Sequence, residues 1–274
     1  MTGIGLGESA RWHEGRLWFA DWIAEELIAL DPDGDSEVVA NVHSLPFSID
    51  WLPDGGPLLV TSGTELLRME PDGSLVTHAD LGGLSEYGWN ELVVDGRGNA
   101  YVNNICFDFM AGGEPGTGII GLVSPDGSVR QVADEIAFPN GMVVTPDNST
   151  LIIAESFAGR LSAFDIDEDG GLSNRRVWAE LGHGGDGICM DAEGAVWTPA
   201  FKSCLRVREG GEVLERVELD RFGFSCALGG EDGTTLFIMA ADWNGPENVG
   251  KGPRTGVVVA TEAPAPAVGW PASG

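Results

Sequence analysis

The sequence predicts an all-β protein folded as a six-bladed β-propeller. Turns of the Pro-Asp-Gly type recur along the chain, and each joins two short runs that are rich in β-forming residues. Similar apolar runs return every 41 to 51 residues, measured between Leu17, Leu58, Tyr101, Ile152, Val196 and Phe237. A repeat of this length is typical of a four-stranded propeller blade. Long helical periodicity is absent from the sequence.

Each element of a blade has a counterpart in the sequence. The turns lie at Pro32-Asp33-Gly34, Pro53-Asp54-Gly55, Pro71-Asp72-Gly73 and Pro125-Asp126-Gly127, with variants at 146–148, 191–194 and 231–233. The six apolar runs are predicted to be the second strands of the blades, and runs such as 26–30 and 161–165 the third strands. A polar outer strand completes each blade. We expect a single domain over residues 1–274, closed by an outer strand made near one terminus.

The starts of the inner strands align six polar side chains. Relative to the following turn, the equivalent positions are Glu8, Ser48, Asn90, Asn140, Asp186 and Ser225, each seven or eight residues before the turn residue. Inner strands line the central channel of a propeller, and their starts lie at one end of it. We therefore expect these six side chains to form a ring at the mouth of the channel.

This ring is rich in oxygen ligands. Two carboxylates and two amides, with hydroxyls at the other positions, form a cage of the kind that hard divalent cations prefer. Ca²⁺ is favoured over Zn²⁺ because the ring has no His or Cys, while Mg²⁺ and Mn²⁺ stay open. Asn140 precedes a glycine that lets the backbone turn sharply, which would hold its amide over the channel. The alternative is that these side chains are solvated channel residues or turn caps.

Composition excludes several classes of partner. The formal net charge of −28 arises from 43 acidic and 15 basic residues, and such a field repels nucleic acid and anionic membrane surfaces. The first ten residues lack a basic region followed by an apolar run, and no segment is long enough to span a bilayer. The four cysteines have no metal-ligand spacing. We expect a cytoplasmic protein, monomeric or homodimeric, whose partner is a small molecule.

Several motifs resemble one known family. These are Gly7-Glu8-Ser9-Ala10-Arg11-Trp12 with the run 15–21, Phe138-Pro139-Asn140-Gly141 with 154–156 and 160–165, Gly185-Asp186-Gly187 with 188–191 and 194–197, and Pro253-Arg254-Thr255-Gly256-Val257. Together they are similar to the senescence marker protein-30/gluconolactonase/luciferin-regenerating enzyme family. The resemblance implies a six-bladed propeller that binds one divalent cation and hydrolyses lactones or related esters. It places metal ligands at Glu8, Asn140 and Asp186, with Asn90 touching metal or substrate.

The chain departs from the family where a sugar acid would be held. Many members have an arginine two residues before the third-blade asparagine and an aspartate after it, whereas this chain has Gly88 and Glu91. Aromatic residues near the strand ends can form an apolar pocket instead, so the substrate is expected to be more apolar than a sugar lactone. Some of these aromatics will instead pack between blades. The candidate substrate-binding residues are Asn90, Trp89, Glu91, Phe107, Glu155, His183 and Trp22.

The expected chemistry is hydrolysis assisted by a Lewis acid. Asp186, ahead of Glu8, is the candidate base for the attacking water, with Glu155 and Glu91 in reserve. His183 is a candidate proton shuttle, although its glycine-rich surroundings also suit an ordinary surface loop. A serine-nucleophile elbow is absent. The alternative is a non-hydrolytic metal-binding propeller: a binding protein, an isomerase or a strictosidine-synthase-like enzyme.

Overall fold

The computed structural model describes residues 1–53 and 55–268, which form six four-stranded antiparallel sheets. The strands are β1 (Thr2–Ile4), β2 (Gly7–His13), β3 (Arg16–Asp21), β4 (Glu26–Leu30), β5 (Ser36–Asn41), β6 (Ile49–Trp51), β7 (Leu58–Ser62), β8 (Glu65–Met69), β9 (Leu75–Asp80), β10 (Leu92–Val94), β11 (Ala100–Asn104), β12 (Gly118–Val123), β13 (Val129–Ile136), β14 (Pro139–Val144), β15 (Thr150–Glu155), β16 (Arg160–Ile166), β17 (Leu172–Glu180), β18 (Cys189–Met190), β19 (Val196–Ala200), β20 (Ser203–Val207), β21 (Val213–Glu218), β22 (Phe222–Gly229), β23 (Thr235–Ala241) and β24 (Gly256–Glu262). A short 3₁₀ helix spans Pro246–Asn248.

The sheets are the six blades of a β-propeller, which confirms the predicted fold class. Five blades each take four consecutive strands, from β2–β5 through β18–β21. The sixth blade has the order β1-β24-β23-β22, so its outer strand comes from the beginning of the chain, where Thr2 pairs with Val257. This is the closure near a terminus that the sequence predicts. The single domain over residues 1–274 stays a prediction, and residues 269–274 lie outside the described part.

The recurring turns occupy two different places in the blades. Those at residues 32–34, 71–73 and 125–127 join the third strand to the outer strand, whereas those at 146–148, 191–194 and 231–233 join the inner strand to the second. Gly73 and Gly127 have φ of 84° and 81°, which glycine adopts without strain. Asp72 Oδ1 accepts the Ser74 N–H at 3.0 Å and fixes its turn. In the turn at 53–55, Asp54 is outside the described residues.

Apolar side chains between the blades hold the ring together. One cluster packs Leu59 and Leu66 of the second blade against Leu92 and Val102 of the third, with Trp89 buried among them. The outer strands are mostly exposed, as in β5 and β21. The inner strands are therefore enclosed by packed sheets, and side chains at their starts have fixed positions. Within residues 1–53 and 55–268, the chain has no helix that is long and apolar enough to cross a membrane.

Candidate active site

Four of the six predicted ring residues line one central cavity. Glu8, Asn90, Asn140 and Asp186 line a cavity of about 560 Å³ to which all six blades contribute. The two serines do not line it. The Ser225 hydroxyl accepts the Ala10 N–H at 3.0 Å. The Ser48 hydroxyl lies 3.1 Å from the hydroxyl of Thr61 on the next strand. The ring is therefore made of two carboxylates and two amides, without the hydroxyls.

The backbone conformation around Asn140 differs from the one that the sequence predicts. Phe138 carries the left-handed backbone conformation, with φ of 60°, while Gly141 is not left-handed. Gly141 is required for close approach instead, because a Cβ there would lie 2.4 Å from the Ile188 backbone nitrogen and 2.7 Å from the Asp186 carbonyl oxygen. The prediction of a sharp turn at Gly141 is therefore wrong, because the glycine is needed for the close approach of two backbones. The fourth and fifth inner strands touch here through their backbones, which brings Asn140 beside Asp186.

Hydrogen bonds orient both amides. Asn140 Nδ2 donates to Ser156 Oγ at 3.3 Å, and Ser156 Oγ donates to the Gly185 carbonyl at 2.7 Å. Asn90 Nδ2 donates to the Pro139 carbonyl at 3.1 Å. Because the nitrogen is the donor in each of these bonds, the Oδ1 atoms are left available as ligands. The network links the third, fourth and fifth blades around the ring.

The two ring carboxylates carry buried oxygen atoms without partners. Neither Glu8 Oε2 nor Asp186 Oδ1 has a hydrogen-bond partner, although both atoms are shielded from solvent. Burial is the main reason that the pKa of Glu8 is raised well above its ordinary value, and repulsion from Asp186 and Glu91 adds to it. Burial and the charge of Glu91 likewise raise the pKa of Asp186. A cation at this point would supply the missing partner and the missing counter-charge.

The donor set fits a hard divalent cation. Glu8 Oε2, Asp186 Oδ1 and the two amide oxygens are all oxygen donors, which suits Ca²⁺ or Mg²⁺ chemistry. Elsewhere in the described chain there is no alternative centre, since no group of three or more His, Cys, Asp or Glu side chains there is placed to hold a metal ion. A metal at the ring would consequently depend on the amides as much as on the carboxylates.

Arg11 lies next to the ring and joins three blades. Its Nη2 donates to the Leu92 carbonyl at 2.7 Å and lies 3.6 Å from Glu91 Oε2, while Nε lies 3.8 Å from Asp50 Oδ1. Burial raises the pKa of Asp50 to about 7 even though Arg11 opposes this shift. Burial also raises the pKa of Glu91, against the opposing charge of Arg11. Arg11 is thus the cation that Asp50 and Glu91 share inside the propeller.

A second layer of the cavity is formed by the residues that lie two positions before each of the six predicted ring residues. All six of these residues line the cavity: Leu6, Pro46, Gly88, Phe138, Gly184 and Gly223. Except for Gly223 in β22, these residues precede the inner strands, and the backbone at Phe138 is left-handed, so the segments that lead into the strands place them at the cavity. Aromatic residues complete the wall: Phe224 comes from β22, and the connecting loops provide Trp22, Phe107, Phe109, Phe157, Phe201 and Trp243. Of the predicted substrate-binding residues, Asn90, Trp22 and Phe107 are therefore at the cavity.

Four other candidates do not reach the cavity wall. Trp89 points away from Asn90 into the core between blades, where it is fully buried. Glu91 pairs with Arg11. Glu155 is held by Arg160 at 3.0 Å and Arg175 at 2.9 Å, by the Ala137 N–H at 2.9 Å and by the Ser162 hydroxyl. His183 packs edge-on against Phe201, with ring centroids 5.8 Å apart.

Several residues that line the cavity were not predicted from the sequence. Phe138 and Ser156 stand beside Asn140, and Tyr87 and Phe222 complete other parts of the wall. Phe138 could have been found from its offset of two residues before Asn140, because the same offset from every ring position leads to a residue that lines the cavity. Ser156 had no such signal, because it follows the end of β15 and reaches the site through the bend after that strand.

The sequence model of the SMP-30/Gluconolactonase/LRE-like region matches residues 6–242. The chain belongs to this family. That span contains every ring residue, and the family assignment agrees with the motifs that resembled it in the sequence.

Relatives within this family match along most of their length. Regucalcin of Xenopus laevis is 27% identical over 249 residues, which cover 86% of this chain and 83% of that protein. A 6-deoxy-6-sulfogluconolactonase of Pseudomonas putida is 27% identical over 280 residues, covering 97% of this chain and 94% of that protein. Among solved structures, a luciferin-regenerating enzyme matches with a TM-score of 0.85 at 18% identity, over 99% of this chain and 96% of that one. This last likeness shows the shared fold.

Proposed function

We propose that this protein is a divalent-metal-dependent hydrolase that opens a lactone or a related ester. The observation that carries the proposal is the pair of buried oxygens without partners, Glu8 Oε2 and Asp186 Oδ1, facing a cavity together with two amides. Family membership supports lactone hydrolysis in general, since one relative that spans nearly the whole chain is named as a lactonase. The substrate is a small molecule more apolar than a sugar lactone.

The metal ligands in this proposal are Glu8, Asn140 and Asp186, with Asn90 as a fourth ligand or a substrate contact. Ca²⁺ is the preferred ion, and Zn²⁺, Mg²⁺ and Mn²⁺ are the alternatives to be compared. When bound, the cation supplies Lewis-acid polarisation of the substrate carbonyl. The ring residues hold fixed positions because they lie at the starts of enclosed strands, so little reorganisation is needed to form the site.

The chain itself supplies the proton transfer. The carboxylate of Asp186 takes a proton from the attacking water and returns it to the alkoxide oxygen that leaves when the ring opens. The carboxylate of Glu8 is the second candidate. Asn90 and Asn140 orient the substrate and the carboxylates through their amides. The apolar wall excludes bulk water from the reacting carbonyl.

Hydrolysis of a lactone panel tests this proposal. The purified protein is treated with chelator, then assayed on aliphatic, aryl and sugar lactones with and without each of the four ions. Turnover should require a divalent ion and should fall by a factor of about 10² or more in Asp186→Asn. Asp242→Asn, at an exposed position, is the matched control. A metal-loaded protein that is inert toward every lactone and aryl ester would favour the non-hydrolytic alternative.

A further inference from the structure

We propose that the site selects uncharged lactones or esters carrying an aryl or alkyl group, and that this group binds against Phe107, Phe109, Phe138 and Phe157. These four residues are called the phenylalanine cluster below. The inference rests on the proposed hydrolysis, because it names the substrate class of the same cavity. Three features of the cavity support it: its charges, its second layer and the cluster itself.

The cavity has no positive side chain to receive an anionic substituent. Among the described residues that line it, none is a lysine, arginine or histidine, and the charged ones are Glu8, Asp108 and Asp186. The net charge of −28 adds a repulsive field around the mouth. A carboxylate, phosphate or sulfonate on the substrate would meet no counter-charge above the ring. The substrate is therefore uncharged outside the group that reacts.

The second layer has no polar side chain either. Its six residues are Leu6, Pro46, Gly88, Phe138, Gly184 and Gly223. Three glycines, two aliphatic residues and one phenylalanine offer no side-chain donor or acceptor to the hydroxyl groups of a sugar. Burying such hydroxyls without partners is costly, and this penalty discriminates strongly between related substrates. A polyhydroxylated lactone is therefore a poor fit at this depth.

The phenylalanine cluster offers the complementary surface for an apolar group. The rings of Phe138 and Phe157 stack with centroids 4.4 Å apart, and Phe109 meets Phe138 edge-on at 5.0 Å. Phe107 lies 6.0 Å from Phe138 in a T-shaped arrangement. Phe157 is 54% exposed, so a substituent that covers it removes apolar surface from water. Aromatic rings prefer these stacked and edge-on contacts, which suit an aryl group.

The cluster is carried mainly by loops, so the substrate specificity can change while the ring residues stay the same. Phe107 and Phe109 lie in the connection between β11 and β12, and Phe157 lies in the turn after β15. Only Phe138 is close in sequence to a ring residue. Side chains carried by surface loops change with little effect on the sheets beneath them. The cluster can thus be altered by substitution while the ring is left in place.

Two matched lactones test the inference. The substrates are γ-phenyl-γ-butyrolactone and the same ring with a carboxylate in place of the phenyl group, with unsubstituted γ-butyrolactone and glucono-δ-lactone as references. We expect kcat/KM for the phenyl compound to exceed that for the carboxylate by about tenfold or more. Phe157→Ala or Phe109→Ala should lower the ratio of phenyl to unsubstituted lactone about tenfold. Val177→Ala, exposed on an outer strand, should leave the ratio unchanged.

The outcomes separate this inference from the proposed function. Preference for the carboxylate or the sugar lactone, or a ratio unmoved by both phenylalanine variants, would overturn the inference while hydrolysis stands. If no lactone is turned over, the proposed function fails, and binding of the stable analogue 5-phenyl-2-pyrrolidinone decides the inference by calorimetry. Binding that weakens about tenfold in Phe157→Ala would support it. Absent binding, or binding equal in both proteins, would overturn it.

Discussion

The guanidinium of Arg11 lies 3.6 Å from the buried carboxylate of Glu91 and 3.8 Å from that of Asp50. These three residues belong to the first, second and third blades, so the pairings connect three successive blades. Both carboxylates are almost completely buried. The relationship makes Arg11 a structural cation that bridges blades, and it fixes the residue that follows Asn90.

Replacing Arg11 with methionine should destabilise the propeller. The change keeps an apolar stem but leaves Asp50 and Glu91 buried without their shared cation, which costs about 3–5 kcal/mol in comparable buried pairs. Urea denaturation measures the free energy of unfolding. The control is Arg208→Met, which breaks an exposed pair with Glu212 and should cost no more than about 1 kcal/mol. Equal losses in the two variants would contradict the assigned role of Arg11.

Glu155 should make stability depend on acid pH. Burial alone would raise its pKa, but hydrogen bonds from Ala137, Ser162 and the two arginines outweigh burial and lower the pKa to about 2. Because the folded pKa lies below the ordinary value of 4.5, the carboxylate stabilises the fold above pH 4.5. This contribution, about 3 kcal/mol at neutral pH, is lost as the pH falls from 4.5 toward 2.

The measurement compares Glu155→Gln with the wild-type protein across this range. At pH 7 the variant should be less stable, and the difference in unfolding free energy should shrink as the pH falls below 4.5. Glu209→Gln, at an exposed position, serves as the control and should show no such convergence. A constant difference from pH 7 to pH 3 would show that the charge of Glu155 is not what stabilises this region.

Gly141→Ala should disturb the contact between the fourth and fifth inner strands. The added methyl group would meet backbone atoms of Ile188 and Asp186, which cannot move without separating Asp186 from Asn140. We expect a loss of about 1–3 kcal/mol in unfolding free energy, together with weaker divalent-ion binding. Gly83→Ala is the matched control, since a Cβ there would meet nothing within 4 Å. Normal ion affinity in Gly141→Ala would show that this backbone contact does not position the metal-binding residues of the ring.

The repeat pattern was sufficient to predict the blades and four of the six ring positions. Spacing alone aligned Glu8, Asn90, Asn140 and Asp186, because every inner strand starts at the same end of a propeller. The closing strand was predicted near a terminus, and the structure places it in residues Thr2–Ile4. The placement of the two serines could not be predicted, because the Ser225 hydroxyl accepts the N–H of Ala10 in another blade and the Ser48 hydroxyl lies against that of Thr61 in its own blade.

Side-chain direction and contacts with distant residues explain why Trp89, Glu155 and Gly141 differ from the predictions made from the sequence. Trp89 and Asn90 are adjacent, so an extended backbone sends them to opposite sides, and Trp89 joins the core. Glu155 was a reserve candidate for the catalytic base. Its partner Arg175 lies on the outer strand β17, and no local pattern signals that pairing. Gly141 was assigned a turn, whereas only the packed structure shows the backbone contact with the fifth blade.

Divalent-ion binding by Asn140→Ala tests the account most directly. Metal-free wild-type protein is titrated with Ca²⁺ by calorimetry, and metal content is measured after dialysis, with Zn²⁺, Mg²⁺ and Mn²⁺ compared in the same way. We predict one ion per wild-type chain and affinity reduced about tenfold or more in Asn140→Ala. Asn244→Ala, at an exposed position, should bind as the wild type does. Unchanged stoichiometry and affinity in Asn140→Ala would contradict the proposed metal site.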